Sequence, residues 1–198
     1  MIEVFTDVFE NNKWRCSETA SGAGSSLAWT QNLRKGLPIL LKGLEVETFL
    51  DVPCGDFNWA KEVDWGGINY IGGDIVASLI EKNTELYGGE KTSFKQIDLS
   101  KDQLPQADVI LVRDCLMHMS VEDAGKCLDN IFKNKVKYLL SSTYPDKESN
   151  NLGHQTSQYL SRHNLEKAPF GLEKPILYLN DANKHVPLKL LGLWKVAE

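Results

Sequence analysis

Three carboxylates stand out by where they fall in the chain. Asp51, Asp74 and Asp98 each close a short apolar run: Phe49-Leu50-Asp51, Asn69-Tyr70-Ile71-Gly72-Gly73-Asp74-Ile75 and Thr92-Ser93-Phe94-Lys95-Gln96-Ile97-Asp98. Between the first two lies a glycine turn, Pro53-Cys54-Gly55-Asp56. A strand entering a helix through such a turn puts backbone amides at the mouth of a parallel sheet, where open α/β proteins bind ligands. An acid ending the next strand, about 20 residues on, suits a two-oxygen grip on ribose hydroxyls. Asp98 can accept from an adenine amine while Leu99 packs on the base. Each acid also has a plain reading: Asp56 as the N-cap of a short helix from Phe57, Asp74 as a solvated strand end. Three acids ending three successive strands point jointly to an adenosyl pocket.

The turn separates two kinds of adenosyl ligand. A dinucleotide site uses Gly-x-Gly-x-x-Gly so that a helix N-terminus meets a pyrophosphate. Here there is one glycine and an added acid, Asp56, which repels a diphosphate. A ligand with a sulfonium and an amino-acid tail is tolerated or attracted. The loop therefore favours S-adenosylmethionine over a nicotinamide dinucleotide, which stays as an alternative, as does a binding module without catalysis.

A second set lies beyond the fourth apolar run, Val109-Ile110-Leu111-Val112: Arg113, Asp114, Cys115 and His118. His118 is a candidate general base because its unperturbed pKa lies near neutrality, and Asp114 competes for that role. In-line methyl transfer can also proceed by proximity and orientation without a strong base. Cys54 and Cys115 read as small buried residues. His154, Arg162 and His163 are either substrate contacts or surface residues. Trp14, ahead of the loop Ser17–Ser26, is the apolar part of a lid or belongs to a flexible arm.

The elements that position these groups alternate. The spacing predicts strands at 49–52, 69–75, 92–98, 109–112 and 138–144, and two closing strands, an antiparallel pair, at 175–179 and 188–196. Helices are expected after Ser25 or Ser26 on Leu27, Thr30, Leu33 and Leu37, with Gly36 and Pro38 interrupting before a second piece at Ile39–Leu41. Further helices carry Val76, Leu79, Ile80, Asn83, Leu86 and Tyr87 up to Gly88, and Val121, Ala124, Leu128, Ile131 and Phe132 behind a capping-box start at Ser120. Alternation over about 100 residues predicts an α/β, Rossmann-like, doubly wound and mostly parallel seven-stranded sheet with a helical N-terminal extension. Right-handed crossovers then set Cys54, Asp74, Asp98, Asp114 and Thr143 on one rim. We expect one domain: 1–45 as arm and helices, 46–144 as cofactor-binding core, 145–198 as variable substrate segment and closing strands.

Composition narrows the partners. A formal net charge of −5 argues against nucleic acid, which is bound chiefly through Lys and Arg. No apolar run approaches the roughly 18–20 residues that cross a bilayer, and the N-terminus lacks a signal-peptide pattern. The four cysteines are widely spaced, without a Cys-x-x-Cys pair, so neither a metal site nor a disulfide framework is expected. A cytoplasmic protein with reduced thiols is the expectation. The oligomeric state is not readable.

The sequence also resembles a family across nearly its whole length. Ser21-Gly-Ala-Gly-Ser25, Leu50-Asp-Val-Pro-Cys-Gly-Asp-Phe57, Tyr70-Ile-Gly-Gly-Asp-Ile75, Arg113-Asp-Cys-Leu-Met-His118, Asn164-Leu165 with Pro169-Phe170, and Leu191-Gly-Leu-Trp194 together resemble class I S-adenosylmethionine-dependent methyltransferases, in particular a bacterial subgroup with Pro-Cys-Gly-Asp-Phe as its first motif. The resemblance implies that Asp51, Pro53, Cys54, Gly55 and Asp56 hold the methionine moiety. It puts Asp74 at the ribose, Asp98 and Leu99 at the adenine, and Arg113 and Asp114 on the methyl-transfer side; Trp14, Ser25, Ile75 and Arg113 are also expected at the cofactor, with His118 and Asp114 as the catalytic candidates. The wider superfamily usually has glycine at the position of Pro53. With no added recognition domain and no basic excess, the expected acceptor is a small molecule or sugar-like metabolite, or a glycan, methylated on oxygen or nitrogen.

Overall fold

The computed structural model describes residues 2–134, 136–150 and 161–196. Seven strands form its centre: β1 (Thr48–Asp51), β2 (Asn69–Asp74), β3 (Thr92–Gln96), β4 (Val109–Val112), β5 (Tyr138–Thr143), β6 (Leu177–Asn180) and β7 (Leu190–Lys195). Their order across the sheet is β3-β2-β1-β4-β5-β7-β6. Contacts from β3 through β5 are parallel, and β7 runs antiparallel to both β5 and β6. The sheet is therefore mixed, with one reversed strand.

Alternation along the strands divides the core. Phe49, Tyr70, Leu111, Leu140 and Leu193 point into one layer with Leu33, Leu37, Leu41 and Leu79. Leu50, Ile110, Val112, Leu139 and Trp194 point into the other with Leu128 and Ile131. Successive strand residues face opposite sides, and parallel strands are covered on both, so these runs are continuously apolar. The layers are built by α2 (Gln31–Gly43) and α3 (Ala77–Tyr87) on one side and α4 (Val121–Lys133) on the other, with α1 (Ile2–Glu10) preceding them. Ser120 caps α4 as expected, its hydroxyl accepting from the Asp123 amide.

Several expectations need correction. The helix from Ser25 or Ser26, broken at Gly36 and Pro38, is instead a single α2 that starts at Gln31 and carries Pro38 inside it. Leu33, Leu37 and Leu41, all fully buried, hold both halves to the sheet, and this outweighs one missing amide bond. Gly36 has its own role: a Cβ there would lie 2.7 Å from the Leu179 side chain, so the glycine lets α2 approach β6. Phe132, expected on the buried face of its helix, is solvent-exposed at the margin of α4. No helix begins at Phe57, and only a short 3-10 turn, Ala60–Glu62, follows the glycine turn. The arm ahead of residue 24 is not loop throughout, since α1 packs Phe5 and Phe9 against the first layer.

Candidate functional site

The order of strands reverses direction at β1, between β2 and β4. At such a switch point the loops leave the sheet to opposite sides and open a crevice at the carboxyl ends. A cavity of about 530 Å3 lies there. Its wall includes Asp51, Pro53, Cys54, Gly55, Asp74, Ile75, Asp98 and Leu99 on one half, and Arg113, Asp114, His118, Tyr144, Arg162 and Lys189 on the other; Trp14, Ser25 and Trp29 also line it. All the predicted cofactor-binding and catalytic residues except Asp56 therefore line one cavity.

The turn after β1 is internally satisfied. The Cys54 amide donates to the Gly73 carbonyl (2.8 Å), the Gly55 amide to Asp74 Oδ2 (3.2 Å) and the Asp56 amide to Ser21 Oγ (2.8 Å). Pro53 has no amide proton, and its peptide bond to Val52 is cis. Gly55 has φ of +54°, and a Cβ there would sit 2.3 Å from Ser21 Oγ, so any side chain is strained at this position. A phosphate-binding turn leaves its amides open to the anion; these three are engaged.

Asp56 is turned from the cavity. Its carboxylate accepts from Thr19 Oγ1 (2.8 Å), the Ala20 amide (2.8 Å) and Ser21 Oγ (3.0 Å). Asn58 adds a bond to Glu18 (2.8 Å), whose carboxylate also takes the Leu27 amide. The loop Ser17–Ser26 is thus fastened to the glycine turn rather than being a free arm. The sequence offered two roles for Asp56, a helix cap and a ligand to the methionine end. No helix starts at Phe57 for it to cap, and its carboxylate oxygens accept from these three donors of the loop. Fastening the loop sets Trp14 over the cavity, its ring 5.5 Å from that of His118.

The acids of the cofactor half are buried. Asp51 Oδ2 accepts from the Tyr70 hydroxyl at 2.7 Å, while Oδ1 has no protein partner. Burial pushes its carboxyl up to about 7, against the opposing pull of that hydrogen bond. Burial likewise raises Asp74 to about 6, although its oxygens accept from the amides of Val76 and Gly55. Asp98 is more open. Burial opposes its ionisation, but the Ser100 hydroxyl (2.6 Å) and amide (3.0 Å) hold its carboxyl below the usual range. Burial and the neighbouring carboxylates raise the Cys54 thiol far above its usual range, and burial does the same to Cys115. Both are buried, as expected, and the shift keeps them as thiols.

The other half contains a buried ionic cluster that the sequence did not reveal. Arg113 Nε donates to Asp181 Oδ2 at 2.9 Å, and its Nη2 reaches Asp181 Oδ1 (3.1 Å) and the Gly24 carbonyl (2.9 Å). Lys189 Nζ lies 2.5 Å from Asp114 Oδ2 and 2.8 Å from Asp181 Oδ2. Asp181 and Lys189 come from the connection between β6 and β7, remote in sequence from Arg113, and nothing in their local pattern marks them. Burial would raise Asp114, but Lys189 and Arg113 hold its carboxyl down at about 2. Burial would also weaken the charge of Arg113, but Asp181 and Asp114 raise its pKa instead. The ion pairs of Asp114 with Lys189 and Arg113 favour its anionic form. Arg113 lines the cavity while its Nε and Nη2 are engaged by Asp181 and the Gly24 carbonyl.

Of the remaining candidates, Arg162 lines the cavity with its guanidinium 5.6 Å from the centre of the Tyr144 ring. His163 does not line it. Its ring is buried edge-on to Phe170 at 5.3 Å, and burial lowers its pKa. His154 lies outside the described residues. Sequence reasoning missed Trp29 and His185, whose rings stack at 5.1 Å on the cavity wall.

No family model matches the sequence, and no curated protein matches it. Solved structures do match. Human N-acetylserotonin methyltransferase, in complex with S-adenosylmethionine, superposes with a TM-score of 0.67 at 14% identity, covering 99% of this chain and 59% of that one. The chain therefore spans under two thirds of that enzyme. The N-methyltransferase NodS of Bradyrhizobium japonicum, with S-adenosylhomocysteine, gives a TM-score of 0.66 at 10% identity over 97% of this chain and 100% of that one. Magnesium protoporphyrin IX methyltransferase of Synechocystis PCC 6803 gives 0.62 at 12% identity over 98% and 94%. The chain has the methyltransferase fold. Within that fold the cavity lies at the switch point, where β1 supplies Asp51 and β2 supplies Asp74. Among the described residues no group of His, Cys, Asp and Glu is arranged to hold a metal ion, and no helix is long and apolar enough to cross a membrane.

Proposed function

We propose that the protein transfers the methyl group of S-adenosylmethionine to an oxygen or nitrogen of a small-molecule or sugar-like acceptor. The observation that carries this reading is the Asp51 carboxylate: buried, in the cavity wall, with one oxygen left without a partner. A buried acceptor in that state calls for a donor from a ligand, and a cationic ligand best offsets its desolvation. S-Adenosylmethionine has an ammonium group for Asp51 and a ribose for Asp74. Asp98 with Leu99 suits the adenine, and Ile75 packs beside the ribose. Pro53, Cys54, Gly55, Trp14 and Ser25 complete the wall, while Asp56 acts through the loop it fastens. The cofactor supplies an electrophilic methyl group, and this chain positions the acceptor before it.

In this reading the whole chain works as one domain. Residues 1–45, the helical N-terminal extension and loop, close the cavity; 46–144 bind the cofactor; 145–198 face the acceptor. The Pro-Cys-Gly-Asp-Phe motif puts it with the bacterial subgroup whose first motif it resembles, acting in the cytoplasm. His118 is the candidate base, since Asp114 is held anionic by Lys189 and Arg113. The internally satisfied turn argues against a nicotinamide dinucleotide.

Thermal shift with S-adenosylhomocysteine and with NAD tests the pocket. Stabilisation by the first alone is expected, and stabilisation by NAD alone refutes the reading. Transfer of labelled methyl from S-adenosylmethionine into acceptor fractions separates an enzyme from a module that only binds.

A further inference from the structure

A second cavity of about 420 Å3 lies behind the Trp29–His185 stack. The same two rings, 5.1 Å apart and inclined by 21°, line both it and the main cavity, so they form a common wall. Its other lining residues are Ala28, Gln31, Asn32, Ala182, Asn183 and Lys184. None is acidic, in a chain whose net charge is −5. Lys184 makes no ion pair among the described residues. Asn183 has a fixed orientation, because its Oδ1 accepts from the amides of His185 (2.8 Å) and Val186 (3.1 Å); Nδ2, its donor end, is left without a partner. The groove is thus walled by rings and supplied with hydrogen-bond donors.

Charge in the main cavity is divided in the same sense. Asp51, Asp74 and Asp98 stand together on the cofactor half. On the other half Asp114 is consumed by Lys189 and Arg113, and Arg162 faces the cavity without an acidic partner among the described residues. A cation is matched on one side and an anion on the other.

We propose that the acceptor site is bipartite: the acceptor carries a carboxylate or phosphate remote from its methylated atom, and that oxyanion lies in the second groove with Lys184, Gln31 and Asn183, while the body of the molecule crosses the Trp29–His185 wall. This rests on the methyltransferase reading. It makes the acceptor an acidic metabolite or acidic sugar rather than a neutral one. An oxyanion gains charge-assisted hydrogen bonds from such a set, and an aromatic wall passes a ring at little ordering cost.

The test uses the full chain saturated with S-adenosylhomocysteine, with titration by glucuronate, glucose 6-phosphate, 4-hydroxybenzoate and phenyl phosphate beside neutral glucose and phenol. Binding is followed by NMR shifts of the Trp29 indole N–H and the Asn183 side-chain amide. We expect acidic probes to move both signals, to bind about tenfold or more tightly than their neutral partners, and to lose that margin in Lys184→Glu and Gln31→Ala. Carboxylate and phosphate probes compared with each other identify the oxyanion. Equal binding of acidic and neutral probes, absence of binding by every acidic probe, or full retention in Lys184→Glu overturns the proposal. Unaltered S-adenosylhomocysteine affinity in those variants confines the failure to the acceptor groove; no affinity in the native protein refutes the methyltransferase reading instead.

Discussion

Replacing Asp51 by Asn separates ligand binding from folding at one atom. The native carboxyl is fully buried and shifted from 3.8 to about 7, chiefly by desolvation. A raised folded-state pKa means that the native protein holds its proton more tightly than the unfolded chain. The associated stability is complete below 3.8 and is lost as pH rises through about 7. Roughly three pKa units at about 1.4 kcal/mol each amount to about 4 kcal/mol of destabilisation at alkaline pH. Asn keeps an oxygen for the Tyr70 hydroxyl but adds an amide donor that costs about 1–3 kcal/mol if it finds no partner. The ligand-free variant should therefore be roughly 1–3 kcal/mol more stable than the native protein near pH 9, and equal or less stable near pH 4. Urea unfolding at both pH values measures this. S-Adenosylhomocysteine affinity, by calorimetry, should fall about tenfold to a hundredfold in the variant. In the native protein affinity should weaken as pH drops below about 7, because binding requires the ionised carboxylate. A variant no more stable than the native protein at alkaline pH, or one that binds undiminished, refutes the reasoning about Asp51.

Three other outcomes follow from the site. His118→Ala should lower methyl transfer at saturating cofactor by about 10²–10⁴, whereas Asp114→Asn should leave the pH dependence above about pH 4 unchanged because its carboxyl is held down at about 2; turnover and pH–rate profiles of the two variants distinguish them. Asp181→Ala leaves Arg113 and Lys189 with one carboxylate between them and should cost about 3–5 kcal/mol in urea unfolding, with the loss much reduced when Lys189→Met is added. Asp56→Ala releases Thr19, Ala20 and Ser21, and should speed hydrogen exchange across residues 17–26 and weaken S-adenosylhomocysteine binding without moving the pH dependence set by Asp51.

The sequence by itself determined the strands, their parallel stacking and the rim on which Asp51, Asp74 and Asp98 meet. These rest on local facts: continuous apolar runs need cover on both faces, turns need glycine or proline, and strands alternating with helices cross over with one hand. The capping of α4 by Ser120 was equally local. Tertiary structure decided the rest. Pro38 reads as a break until three buried leucines are seen to hold α2 across it, since packing exceeds intrinsic propensity. Asp56 reads as the cap of a helix at Phe57, but it fastens Thr19, Ala20 and Ser21 instead. The partner of Asp114, Lys189, lies 75 positions away, and no local pattern announces it. A carboxylate's role depends on which donors and cations reach it first, and those arrive from distant segments.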